Sequence, residues 1–241
     1  MKLACQENMV PGDSFADRVA KAQDWGYEGV EIWGSNLRDR MAEIKQAFKG
    51  RKIKVSTICS GFRGCLLDPE PAERNLAMND IKELLALGGQ LGAVGLIMVP
   101  IFGRPRLPDA SPLFDAREFE RRMFMAQLEE LAEPAEKAKC AVLVEPLNRY
   151  ETHWINRLEQ AVEMVRRVKS DYVKTTANLS ACIFGNWNDV LIGSWGPGID
   201  ILVDPYTGGS TGAVRVRVFQ SVDIAVRQPA SFAVCTDIIT A

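Results

Sequence analysis

The sequence predicts an α/β protein: an incomplete (β/α)8 TIM barrel of about five to six βα units, followed by an antiparallel β tail. Three observations predict it. Short apolar runs alternate with amphipathic helical patterns as far as about residue 175. One of those runs, VGLIMV at 94–99, carries no polar side chain, as a parallel strand covered on both faces should read. Beyond it all, from residue 176, the pattern becomes Gly-punctuated and two-residue periodic, with no helical stripe. Two parts follow, 1–175 and 176–241.

Each element has its own signal. Ser14 precedes Phe15, Val19, Ala22 and Trp25, which recur at helical spacing, so it caps a helix that Gly26 ends. GVEIW at 29–33 reads as a strand. Leu37, Met41, Ile44 and Phe48 make the stripe of a second helix, stopped by Gly50 and followed by a strand at 53–58. Pro69 and Pro71 open a long helix with Leu76, Ile81, Leu84, Leu85 and Leu91 facing inward, and the strand at 94–99 comes next. Pro105, Pro108 and Pro112 exclude a helix or a central strand at 104–113, which is a surface loop. Asp115 starts a helix through Phe119, Met123, Leu128 and Leu131, with a kink expected at Pro134, before a strand at 141–145. Asn156, with Glu159 three residues on, predicts the cap of a helix striped by Leu158, Val162, Val165 and Val168. Residues 172–175 supply a sixth strand. In the tail, Val214, Val216 and Val218 alternate with Arg215 and Arg217, a second apolar run lies at 222–226, and the turn GGSTG at 208–212 precedes them. An antiparallel ribbon is the simplest reading, with the arginines on a solvated face.

Composition removes several classes of function. Hydrophobic residues are 47% and charged residues 25% of the 241, the balance of a folded globular chain. A net charge of −2 lacks the cationic footprint that nucleic acid or an anionic bilayer requires, so neither is an expected partner. No window approaches the roughly 18 apolar residues of a membrane span, and MKLACQENMVPG has no apolar leader core, so a cytoplasmic setting is expected. The six cysteines are scattered without a C-x-x-C pair and read as reduced, mostly buried thiols.

The best candidate site is VLVEPLNRYETH at 142–153. A carboxylate where an apolar strand runs out sits at the C-terminal mouth of a parallel barrel, which places Glu145 as a reacting group or as a strand-end acid paired with Arg149. Trp33, at the end of its own strand, either lines the mouth or packs. Gly88, Gly89 and Gly92 follow a helix instead of opening one, so they terminate it and do not cradle phosphate. Cys59 and Cys65 flank a loop with no histidine nearby in sequence to activate a thiol.

Together, CQENMVPGDSFADRVAKAQDWGYEGVEIWG, VSTICSGFRGCLLDP, LGAVGLIMVP and EPLNRYETHWINRLEQAVEMV resemble the xylose-isomerase-like sugar isomerase/epimerase family of TIM barrels, over residues 1 to about 175. The resemblance implies a divalent metal (Mn, Mg or Co) held by a Glu, an Asp, a His and a second Glu at the ends of strands five to eight. It also implies proton transfer on a keto-sugar through an enediolate. Carried over, Glu145 matches the strand-five metal ligand and catalytic acid/base. Glu151 matches a substrate-contacting acid, and His153 and Trp33 are expected beside the same sugar or sugar phosphate. The pattern then breaks, because VKTTANLSACIFGN lacks the Asp and His of strand six, His153 is the one histidine of the chain, and no Glu follows Glu163. Asp189, Asp200, Asp204, Asp223 and Asp237 are the acids left. Residues 178 to 238 resemble instead the C-terminal end of a tailed-phage major capsid protein, through DPYT and VDIAVRQPASF. The expectation is a sugar isomerase/epimerase-like chain with little or no activity; a structural, capsid-like role is the alternative. An unclosed barrel or β tail is also expected to self-associate.

Overall fold

The computed structural model describes residues 2–113 and 115–176 with their side chains, and beyond them the backbone of strands at 179–185, 190–204, 215–226 and 232–239. Residues 1–181 with 235–241 form one compact unit and 182–234 a second.

The first unit alternates strand and helix: β1 (Ala4–Gln6), α1 (Phe15–Asp24), β2 (Gly29–Trp33), α2 (Leu37–Phe48), β3 (Lys54–Cys59), α3 (Pro71–Leu91), β4 (Gly95–Met98), α4 (Ala116–Ala138), β5 (Ala141–Val144), α5 (Leu158–Val168) and β6 (Val173–Thr175). The six strands are parallel and lie in chain order from β1 to β6. The predicted starts of α1 and α4 have clear causes. Asp17 N donates to the Ser14 hydroxyl at 3.1 Å, and Glu118 N to the Asp115 carboxylate at 2.7 Å. Pro71 occupies the first turn of α3, where its missing N–H leaves no bond unmade.

Two features differ from expectation. β1 escaped the sequence reading because three residues, Ala-Cys-Gln, give no periodicity to count. The cap of α5 is Arg157, not Asn156, and Gln160, not Glu159, closes the box; its side-chain oxygen accepts from both Asn156 N (2.9 Å) and Arg157 N (3.1 Å). An amide placed one turn ahead of two adjacent N–H groups outcompetes the solvent-exposed Glu159. α4 runs through Pro134 to Ala138 as one helix.

Strand alternation gives the sheet two faces. Val30, Ile32, Ile58, Leu96, Met98, Val142, Val144 and Val173 point toward the helices and join one apolar core with Phe15, Ile44, Leu85, Phe124 and Leu131. The intervening residues Ile97, Ala141 and Leu143 form a small separate cluster on the opposite, inner face. Among the described residues the thiols Cys5, Cys59, Cys65 and Cys140 form no disulfide; burial pushes Cys5 up to about 11 and Cys140 to about 12.

In the second unit, β8 (Val190–Asp204) pairs antiparallel with β9 (Arg215–Val226), from Val190 opposite Val226 to Asp204 opposite Arg215, with a register shift between Trp195 and Ile199. The two apolar runs of the tail are thus parts of one strand. β7 (Leu179–Gly185) and β10 (Phe232–Ile239) pair in a two-stranded sheet. Val214 and the Gly-rich turn at 208–212 lie outside the described residues, as do Asp189 and the side chains of Asp200, Asp204, Asp223 and Asp237.

Candidate active site at the strand ends

The register aligns one row of inner-face residues across the sheet: Trp33 opposite Cys59, Cys59 opposite Ile97, Ile97 opposite Leu143, and Leu143 opposite Lys174. Glu145 lies one step beyond. Val144 faces the helices, so Glu145 resumes the inner face of Leu143, and its N–H continues the ladder to Met98 O at 3.0 Å. The half-buried Glu145 is therefore carried at the C-terminal end of a strand buried at all four of its residues. Trp33 lies one row below it, 37% exposed at the end of β2. Arg149, weighed as a partner for Glu145, donates instead to the Tyr150 hydroxyl at 3.0 Å, and that bond draws the Tyr150 phenol below its ordinary value.

Two buried carboxylates here escaped the sequence reading. Glu31, on the inner face of β2, accepts from Gln6 Nε2 at 3.0 Å and Thr57 Oγ1 at 2.7 Å, so it ties β1, β2 and β3 together. Its signal was a Glu on the alternate face of an otherwise apolar strand. Glu7, 4% exposed, takes a bidentate pair from Arg40 of α2 (2.9 and 2.6 Å) and the N–H of Trp33 at 2.8 Å. The hydrogen bond to Glu7 in turn holds the Arg40 guanidinium above its ordinary value. Nothing in the sequence joins Glu7 to Arg40.

Next to Trp33, the loops that leave β2 and β3 meet backbone to backbone. A Cβ on Gly34 would stand 1.8 Å from Ser60 O, and one on Gly61, whose φ is +100°, 2.2 Å from the Gly34 carbonyl carbon. On the other side, the loop after β4 is strapped to the loop after β5. Gly103 N donates to Glu151 O at 2.6 Å, and Gly103 O accepts from His153 N at 3.1 Å. The exposed Glu151 carboxylate accepts from the Asn148 side-chain amide. His153 has both ring nitrogens engaged within the protein, Nδ1 with Gly103 O at 3.0 Å and Nε2 with the Glu120 carboxylate at 2.7 Å. Beneath them Trp154 packs edge-on against Phe124 of α4, with ring centroids 5.9 Å apart.

The chemistry open to this site starts from Glu145, a carboxylate on a rigid strand end that suits proton transfer or ligation of a hard cation. Among the described residues, no three His, Cys, Asp or Glu side chains converge as a metal centre would require, and the nitrogens of the one histidine are taken. The described residues thus do not by themselves fit a tightly held divalent ion.

A series of βα units on a parallel sheet, with a carboxylate at its C-terminal edge, defines the class of (β/α)-barrel proteins. The xylose isomerase-like TIM barrel family profile matches residues 19–217, and the chain belongs to that family. Among curated relatives it is 28% identical over 165 residues to the 3-dehydro-D-guloside 4-epimerase of Escherichia coli, covering 67% of this chain and 62% of that one. It is 27% identical over 166 residues to the D-psicose 3-epimerase of Enterocloster bolteae, covering 64% and 52%. The chain thus spans about half to three fifths of the length of these relatives. A shorter likeness, 37% over 57 residues, joins 24% of the chain to 9% of the major capsid protein of Halomonas phage phiHAP-1. Among solved structures, the apo 3-keto-D-glucoside 4-epimerase of E. coli superposes with a TM-score of 0.63 at 25% identity, over 73% of this chain and 67% of that one. The IolI protein with a bound zinc atom superposes at 0.55 and 19%, over 72% and 61%. Among the described residues no helix is long and apolar enough to cross a membrane.

Proposed function

We propose that this sugar isomerase/epimerase-like chain keeps the strand-five part of a keto-sugar site and turns its substrate over little or not at all. Glu145 is its metal-ligand and acid/base position, with Glu151, His153 and Trp33 on the substrate side, for a sugar or sugar phosphate. In an active relative of this kind, a Mn, Mg or Co ion would stabilise the enediolate oxygen. Here Glu145 is the one ligand position of that set that the sequence match supplies. The observation that carries the reading is the commitment of the only histidine to Glu120 and Gly103 O, in a sequence whose last Glu is Glu163. Epimerisation at one carbon removes a proton on one face of the enediolate and returns it on the other, so it needs two opposed acid/base groups around a stabilised oxyanion, and one carboxylate provides half of that. The test is epimerisation of ketoses, D-psicose and D-tagatose included, with added manganese. The expected outcome is no turnover above the metal-only control, unchanged in Glu145→Gln. Turnover that Glu145→Gln abolishes would overturn the reading.

The resemblance of residues 178–238 to a phage capsid protein, together with the 57-residue likeness to such a protein, favours a second reading, in which 176–241 is a β-rich segment joined to the barrel portion 1–175 and the chain has a structural role. Particles on size exclusion would favour it. A sheet left unclosed exposes edges, so self-association is part of both readings.

A further inference from the structure

His153 faces oxygen at both ring nitrogens, and that fixes how many protons the site holds. Gly103 O can only accept, so Nδ1 carries a hydrogen. A neutral imidazole with its hydrogen on Nδ1 would turn the bare Nε2 lone pair toward Glu120 Oε2 at 2.7 Å, where a carboxylate has nothing to donate. The contact therefore contains one further proton. Glu120 is 1% exposed, on the buried face of α4 beside Phe124, and its other oxygen, Oε1, has no hydrogen-bond partner. A buried carboxylate with one oxygen bare is stabilised chiefly by a cation on the other.

We propose that His153 is a doubly protonated latch that ties the loops after β4 and β5 to α4 and so holds the segment carrying Glu151 in place. The chain of contacts is continuous. Glu120 fixes the ring through Nε2. The ring Nδ1 and the backbone N of the same residue both donate to Gly103 O, at 3.0 and 3.1 Å. Gly103 N then donates to Glu151 O at 2.6 Å. One imidazolium thereby ties α4 to the backbone bridge between Gly103 and Thr152, which the bonds of Gly103 with Glu151 O and His153 N make up. The latch stands whether or not the chain turns over a sugar, because none of its bonds involves one.

The single histidine makes the test direct. In the full chain at pH 7, ring ¹⁵N chemical shifts of His153 are expected to show hydrogens on both nitrogens. Amide exchange at Gly103, which reads its bond to Glu151 O, is expected to quicken about tenfold or more in His153→Ala, the scale of losing a charge-assisted hydrogen bond. Glu120→Gln separates charge from tether. Its amide N–H can donate to a bare Nε2, so His153 should become singly protonated at Nδ1 while Gly103 keeps its slow exchange. An unprotonated ring nitrogen in the unsubstituted protein, or Gly103 exchange unchanged in His153→Ala, overturns the proposal. If His153→Ala does not fold, Glu120→Gln decides: a ring still doubly protonated there overturns it.

Discussion

Glu7 and Arg40 offer the sharpest test of what holds the strand ends in place. The carboxylate side chain is 5% exposed and the guanidinium 24%, with Nη2–Oε2 at 2.6 Å and Nη1–Oε1 at 2.9 Å. Two unit charges about 4 Å apart attract by about 4 kcal/mol at an effective dielectric of ~20, before the cost of removing them from water. Deleting one partner of a buried pair typically costs about 3–5 kcal/mol, and the partial exposure of Arg40 puts Arg40→Met near the lower end, ~3 kcal/mol. Part of that is not the pair: the guanidinium lies 5.2 Å from the centroid of the Phe15 ring. A lost cation–π contact of this kind accounts for about 0.5–1 kcal/mol. Glu7→Gln keeps a carbonyl oxygen for Trp33 N, so the double-mutant cycle isolates the ionic coupling, expected at ~2 kcal/mol. Urea unfolding followed by far-UV circular dichroism measures it; at ~2 kcal/mol per molar, Arg40→Met should lower the midpoint by about 1–2 M. A coupling below about 0.5 kcal/mol, the level of an exposed ion pair, would refute the reasoning.

Two further outcomes follow from the same structure. Hydrogen bonds from Arg121 and then Arg122 hold the Glu118 carboxyl at about 2 against an ordinary 4.5; its share of stability is therefore complete above pH 4.5 and lost as the pH falls toward 2. A ¹³C titration of the Glu118 side chain with a midpoint near its ordinary value would contradict this. At the α3–α4 contact, a Cβ on Gly89 would stand 2.1 Å from Ala138 O, whereas Gly92, with φ +70°, has open space. Gly89→Ala should therefore cost about 3 kcal/mol by overpacking, and Gly92→Ala only the ~1 kcal/mol of a left-handed backbone. Thermal or urea unfolding of the two variants gives the order, and equal losses would sink the assignment.

The strands and helices with clean periodicity were legible because each reports its own environment. GVEIW is β2 at the same residues, Asp115 caps α4, and the apolar run at 94–99 contains β4. β1 was not legible, since a three-residue strand is defined by its neighbour β2 and not by its own pattern. The cap of α5 missed by one residue because Asn156 and Arg157 compete for the same glutamine, a choice that the tertiary path makes. At the site, Glu145 was legible from its place after an apolar strand. The partners of His153 were not, because Glu120 lies 33 residues earlier on α4, with β5 between, and only the packing of α4 brings the two together. Glu7 and Arg40 are likewise distant in sequence, and no local pattern encodes a pair formed across an intervening strand.

The backbone crossing of Gly34 and Gly61 has a consequence for how this chain can vary. Two loops that cannot admit a methyl group at their contact cannot be lengthened one at a time either, because any added residue must push its partner aside. Inserted residues and new side chains will collect instead on the segment at 104–113, which is largely exposed apart from the buried Leu107 and whose Arg106 pairs with Asp68. Diversification of the strand-end surface thus has a preferred side: the part of the β4 loop beyond Gly103 forms the adaptable rim, and the β2 and β3 loops the rigid one.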